Sequence, residues 1–126
     1  MWGGGEMLSP IPARILRSTA TVTVSTGTDL YQNQTYDTYT VNRVHLQPST
    51  EIKKDRTNTD QQLRAVLFVD AKLSTPQLDW GALLRSAHEA GGDMRVTVRG
   101  VEYTVLTVDE LREASDQPHH WEVGCV

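Results

Sequence analysis

Four histidines and a single cysteine are the most reactive side chains this 126-residue chain offers. The histidines are His45, His88, His119 and His120. His119 and His120 are neighbours, and adjacent side chains on an extended chain point to opposite faces, so the pair does not converge on one metal ion. All four read as surface or interface histidines. Cys125 has no second cysteine, so neither an intrachain disulfide nor a Cys-x-x-Cys pair exists. A catalytic thiol needs a base held against it. His119 and His120 share Cys125's segment but offer no such arrangement, and Cys125 reads as a buried or interface residue. The carboxylates lie scattered through polar stretches with no spacing that sets up an acid/base pair. Gly81 in GAL and Gly91 in AGGD do not make a phosphate-cradling loop. Eight aromatic residues are present, but they do not interleave with a basic patch as in single-strand binders. The expectation is therefore no catalytic, metal-binding or cofactor-binding residue, no cofactor and no enzyme.

Composition narrows the classes further. The formal net charge is −4 and the pI is near 5.5, which argues against a protein that grips nucleic acid by neutralising phosphates. A wall that DNA merely passes stays compatible. No run approaches the roughly 18 apolar residues of a membrane span. The start MWGGGEMLSP lacks the basic and apolar regions of a signal peptide. A lone thiol suits a reducing compartment. The expectation is a soluble protein made in the cytoplasm and used there or in something assembled there, without a membrane.

These residues need a frame, and the clearest part of it is Gly92 to Val108. Met94, Val96 and Val98 alternate with Arg95, Thr97 and Arg99; Val101, Tyr103 and Val105 then alternate with Glu102, Thr104 and Leu106, with Val108 following. Period-two alternation marks two half-buried strands, and Gly100 can take the positive φ of a tight hairpin turn. A lone hairpin is marginal in water, so further strands must cover it.

The rest of the chain supplies them. Residues 1–9 read as a flexible Gly-rich arm and 10–126 as one domain, with Pro10 and Pro12 stiffening its start. Ala13 to Arg17 reads as a helical turn or the start of a strand, with the strand start preferred, and Thr19 to Ser25 as a strong strand. Thr26 to Gln34 reads as a loop or wide turn. Tyr36 to Leu46 resumes alternation, with a break at Arg43 and Val44 that a bulge would explain; Pro48 ends it. Ser49 to Gln61 is the longest polar stretch, with Lys53, Lys54 and Arg56 balanced by Glu51, Asp55 and Asp60. It reads either as a solvated hairpin loop or as a functional loop without structure of its own. Gln62 to Ala71 is apolar on both faces in its middle and reads as a strand covered on both sides.

Thr75 then offers an N-cap with Pro76 at the first helical position, and Asp79 a second cap. Leu78 to Ala90 reads as a short amphipathic helix stopped by Gly91 and Gly92, its Leu83, Leu84, Ala87 and Ala90 face and Trp80 plugging one end of the sheet structure. Val108 to Gln117 reads as a loop with one helical turn, and His119 to Val126 as the last strand. The predicted fold is all-β and mainly antiparallel, a small barrel or sandwich of about six strands with one inserted helix near 78–90 and a long polar loop near 49–61. Its expected core is Val22, Val41, Leu67, Val69, Val96, Val98, Tyr103, Val105, Trp121 and Val123.

In order along the chain stand PARIL at Pro12 to Leu16, TVTV, TDLYQNQTYDTYTV, VNRVHLQPST, AVLFVDAK, the pattern GDxxxxxxGxxYTVxxV carried by Gly92, Asp93, Gly100, Tyr103, Thr104, Val105 and Val108, and the ending HHWEVGCV. That ordered set, from Pro10 onward, resembles the tailed-phage minor capsid or head-closure proteins, also called head–tail connector stoppers. The chain departs from them in Leu78 to Ala90, longer than the short connection expected there. The resemblance implies a non-catalytic virion protein, a small barrel assembling as a homo-oligomeric ring, twelvefold in the assembled neck. The ring would sit below a portal or adaptor protein and above a tail or tail-terminator protein. It would extend the channel, retain packaged double-stranded DNA without reading its sequence, and give the tail a platform. The protein would reside at the head–tail interface of the virion, and in the host cytoplasm during assembly. The loop matching the family's channel gate is Thr50, Glu51, Ile52, Lys53, Lys54, Asp55, Arg56, Thr57, Asn58, Thr59 and Asp60, expected to be mobile in a free subunit. The competing readings are a tail-side neck or tail-terminator protein and a small OB- or SH3-like binding module, which would show a preformed groove with aromatic residues.

Overall fold

Thr19, Thr21 and Thr23 alternate with Ala20, Val22 and Val24, and in the computed structural model the second set is buried in the core. The structure describes residues 15–112 and 118–126; the expected Gly-rich arm, Pro10 and Pro12 lie outside them. Six antiparallel strands close into a barrel: β1 (Ser18–Thr28), β2 (Gln34–Pro48), β5 (Ala65–Asp70), β8 (Pro118–Cys125), β7 (Val101–Arg112) and β6 (Met94–Val98), in that spatial order, with β6 pairing back onto β1. Closure removes exposed sheet edges. Between β2 and β5 stands a separate two-stranded ribbon, β3 (Ile52–Lys54) and β4 (Asp60–Gln62). One helix, α1 (Trp80–Glu89), precedes β6.

The β6–β7 hairpin turns on Arg99 and Gly100, both with positive φ (52° and 79°), the conformation that matches the strands' twist. Val98 pairs with Val101 and Val96 with Tyr103. Val22, Val41, Leu67, Val69, Val96, Val98, Val105, Trp121 and Val123 are all buried in one cluster, while Tyr103 is half-buried against it. A register shift between Val105 and Thr107 lets Val105 and Val108 both face this core, while Leu106 turns outward into a second cluster. That second cluster, Leu16, Leu63, Val66 and Phe68, covers the outer face of β5, which is why all six residues of β5 are buried.

The bulge at Arg43 is real: its φ is +63°, and Val41 and Val44 are both buried although three apart. Ser74 and Thr75 strap over it. Ser74 Oγ donates to the Arg43 carbonyl at 2.5 Å, and Thr75 exchanges backbone hydrogen bonds with Asn42 at 2.8 and 3.2 Å. Thr75 is therefore not a helix cap, and Pro76 does not start a helix, because that backbone is committed to β2. The cap is Asp79, whose Oδ1 accepts from the Ala82 amide at 3.0 Å. Helix α1 begins at Trp80, which is fully buried in the barrel core with Ala87; Leu83 and Leu84 pack beside them. Gly91, φ +77°, stops the helix. A side chain on Gly92 would overlap Ser25, whose Oγ accepts from the Asp93 amide at 3.1 Å.

Three other expectations are corrected. Among the described residues the first strand begins at Ser18 and not at Ile15 to Arg17, where Leu16 turns into the second cluster; residues 13 and 14 lie outside the described residues. The Thr26 to Gln34 loop shrinks to Asp29–Asn33 because both strands run on past it. Val108 to Gln117 is strand as far as Arg112, since Asp109, Glu110 and Leu111 pair with Glu122, Trp121 and His120; residues 113–117 lie outside the described residues.

Candidate functional site

Ser49 to Gln61 forms the two-stranded ribbon, so a loop without structure of its own is the reading that fails. Ile52 pairs with Gln62, Lys53 with Gln61 and Lys54 with Asp60. Its root is tied down: the Ser49 amide donates to the Arg64 carbonyl at 3.1 Å, the Leu63 amide to the Glu51 carbonyl at 2.8 Å, and Leu63 itself is buried. The Glu51 amide donates to Ser49 Oγ at 3.1 Å, and Gln62 Nε2 to the Thr50 carbonyl at 3.3 Å.

Asp55 builds the tip. Its carboxylate Oδ1 accepts from the amides of Thr57 and Thr59, both at 2.9 Å, and from Thr57 Oγ1 at 2.7 Å; Oδ2 accepts from Gln61 Nε2 at 3.1 Å. Asn58 takes φ +64° to close the turn. Hydrogen bonds to the charged form lower the Asp55 pKa to about 2, the Thr59 amide contributing most. The sign follows: Asp55 supports the tip fully above the ordinary carboxylate value near 3.8 and loses that role as pH falls through about 2. The Thr57 and Thr59 amide resonances should accordingly titrate with a midpoint near 2, and in Asp55→Ala the Thr59 amide should exchange faster at pH 6 while barrel amides do not. A midpoint at the ordinary carboxylate value, with unchanged exchange in the variant, refutes the clamp.

The ribbon's charges are mostly paired. Lys53 Nζ lies 3.3 Å from both Glu51 Oε1 and Asp109 Oδ2, which joins the ribbon to β7. Partial burial works against the Lys53 charge, but Asp109 and then Glu51 outweigh it and its pKa rises. Lys54 Nζ lies 2.8 Å from Asp60 Oδ1. Arg56 is exposed at the tip, and its charge reaches His88 on α1: burial chiefly, and Arg56 next, lower the His88 pKa against the opposing pull of Asp93. Ile52 is the ribbon's large apolar side chain and is 63 % exposed. Sequence reasoning missed this pairing, although Asp55 and Asn58 carry the turn signal.

The other candidate side chains stay apart. Cys125 is buried, its thiol pushed up to about 12 by burial, so it is not a thiolate near neutrality. His45 stacks on Phe68 with ring centroids 6.0 Å apart. His120 is buried, not at a surface, with Nε2 3.2 Å from Glu122 Oε2, on β8 between β5 and β7. The side chain of His119 lies outside the described residues. Among the described residues no three His, Cys, Asp or Glu side chains are grouped to hold a metal, and no helix is long and apolar enough to cross a membrane.

The chain is thus a closed all-β barrel with one helix packed into its core and a charge-paired ribbon joined to β7. The minor capsid protein family matches residues 12–125, and the chain belongs to that family. No curated protein and no solved structure matches it. Membership makes the chain a structural component of the phage virion and implies a non-enzymatic role.

Proposed function

We propose that this minor capsid protein is a head-closure subunit of the phage neck. Copies form a ring below the portal or adaptor protein and above the tail or tail-terminator protein, and the ring lengthens the DNA channel. The ribbon acts as the gate that retains packaged DNA. The single observation that carries this reading is the ribbon's character: it is tied at its root, clamped at its tip by Asp55, and holds Lys53 and Lys54 in ion pairs. Tight phosphate binding needs cations free to replace counterions. A gate must obstruct DNA and then release it, so paired cations suit it better than free ones. The clamp also changes how the gate works. A ribbon already ordered in one subunit obstructs by where it is held, not by ordering on assembly.

Cryo-electron microscopy of whole particles tests the location. Density for the barrel should lie at one vertex, between portal and tail. Density spread over the shell overturns the neck assignment.

A further inference from the structure

Closure gives each barrel strand two neighbours, but not along its whole length. Strand β2 pairs with β1 from Gln34 to Val44 on one side, and with β5 only from Val44 to Pro48 on the other. Next to the Arg43 bulge, Thr75 covers Asn42. From Gln34 to Val41 no described residue pairs with that second side. The ladder tells which backbone groups it presents. Both backbone bonds of Asn42 go to Thr75, and every second residue of a strand directs its N–H and C=O to the same side. The amides and carbonyls of Tyr36, Thr38 and Thr40 therefore face the open side, while those of Asp37, Tyr39 and Val41 face β1. The register of β1 agrees. Ser25 sits opposite Tyr36, and its amide points away from β2, donating to the Asp93 carbonyl at 3.0 Å.

An open edge is a template for another strand, and proteins commonly blunt it with lysine, proline, a bulge or a very short strand. The open part of β2 uses none of these. Gln34 to Val41 reads QTYDTYTV, with no Lys, Arg or Pro and with the β-branched and aromatic residues that suit a sheet. It runs for about 26 Å at about 3.3 Å per residue. The bulge at Arg43 falls where Ser74 and Thr75 already cover the strand. Tyr36, Thr38 and Thr40 are all exposed. The same hairpin ends in an anchor. Asp29 Oδ1 accepts from the Tyr31 amide at 2.8 Å and the Asn33 amide at 2.9 Å, which orders a turn on which Leu30 is 96 % and Tyr31 84 % exposed. Large side chains on an ordered turn lose little entropy on docking.

Charge selects the occupant. From Ser18 to Asn42 the chain carries Asp29 and Asp37 and no Lys or Arg. Asp37 lies within the open stretch and is exposed. Two copies of this edge set side by side would bring only carboxylates together. A strand with a lysine or arginine opposite Asp37 meets an opposite charge instead. We infer that the Gln34–Val41 edge of β2 takes, as an added strand, an extended segment of a different virion protein, one that carries lysine or arginine. Backbone hydrogen bonds to Tyr36, Thr38 and Thr40 supply affinity, Asp37 selects the cation, and Leu30 and Tyr31 hold the end of the segment. The inference goes beyond the neck reading, since it needs only a place in the virion.

Hydrogen–deuterium exchange read by mass spectrometry, on the free full-length protein and on purified particles, tests this. Peptides covering Gln34 to Val41 should exchange fast in the free protein at every concentration and at least tenfold more slowly in particles. Equal exchange in the two states overturns the added strand. Slowing that sets in as the free protein is concentrated gives the edge to a second copy, and overturns it too. Photo-cross-linking in particles, from p-benzoylphenylalanine at position 36, identifies the occupant. The expected product joins a segment of another virion protein containing Lys or Arg; a cross-link to this chain, or to a segment without a cation, refutes the assignment. Thr38→Pro removes an amide that faces the open side, so it should melt like wild type yet enter particles at least tenfold less. Tyr39→Pro removes an amide that faces β1 and should melt lower. A Thr38→Pro protein that assembles like wild type counts against the strand, and the exchange measurement stands whether or not that variant folds. Particle density reads the neck location separately, so either reading can fail alone.

Discussion

Particles assembled with a subunit lacking Thr50 to Asp60 are expected to package DNA and then lose it. The barrel should tolerate the deletion. Pro48 pairs with Ala65, and the Ser49 amide already bonds the Arg64 carbonyl. Joining Ser49 to Gln61 leaves Gln61, Gln62 and Leu63 to cross between strands, a length that hairpins commonly use. Leu63 keeps its place in the second cluster. The ion pairs removed, Lys53 with Glu51 and Asp109 and Lys54 with Asp60, lie at the surface with only Lys53 partly buried, and surface pairs are worth about 0–1 kcal/mol each. The purified variant should therefore melt near wild type, while most particles purified from the mutant phage should be empty. Measuring DNA content per particle by buoyant density, together with infectivity, reads the effect. Full, infectious particles would refute the gate.

The second large effect falls on the core. Val96→Asp and Val105→Asp should each abolish cooperative folding. Val96 is fully buried between Val22 on β1 and Tyr103 on β7, and Val105 is buried beside Cys125. Neither site has a cation in the surrounding cluster, whose buried members are apolar. An unpaired carboxylate there costs several kcal/mol even after relaxation, and the lost valine packing adds about 1–3 kcal/mol. Against a total stability of about 5–15 kcal/mol, that is enough to unfold the domain. Thr21→Asp is the control: Thr21 sits on the same strand as Val22 but is exposed, so its cost should stay within about 0.5 kcal/mol. Urea unfolding followed by circular dichroism separates the cases. Soluble, cooperatively unfolding Val96→Asp protein would place that side chain outside the barrel.

Much of this architecture is written in local order. Alternation in Thr19 to Ser25, in Met94 to Val98 and in Val101 to Val105 depends on nothing but the two-residue repeat of an extended chain, so those strands and their inner faces can be read directly. The doubly apolar middle of Ala65 to Asp70 announces a strand covered on both faces, and the broken alternation at Arg43 announces a bulge. Asp79 and Gly91 bracket the helix by local capping chemistry. The family resemblance rests on the same ordered segments.

What tertiary structure decided are the features whose partners lie far along the chain. Thr75 has the residue type of a helix cap, but Asn42, 33 positions earlier, claims its backbone. Leu111 continues a strand because His120 lies beside it, and His120 meets Asp70 and Leu111 only because β8 closes the barrel between β5 and β7. The ribbon's link to the barrel runs through Lys53 and Asp109, 56 residues apart. A repeat of two along the backbone says which way a side chain faces; only closure of the barrel says what it faces. The strands and most of the core were therefore legible in the sequence, while the ribbon's anchorage was not.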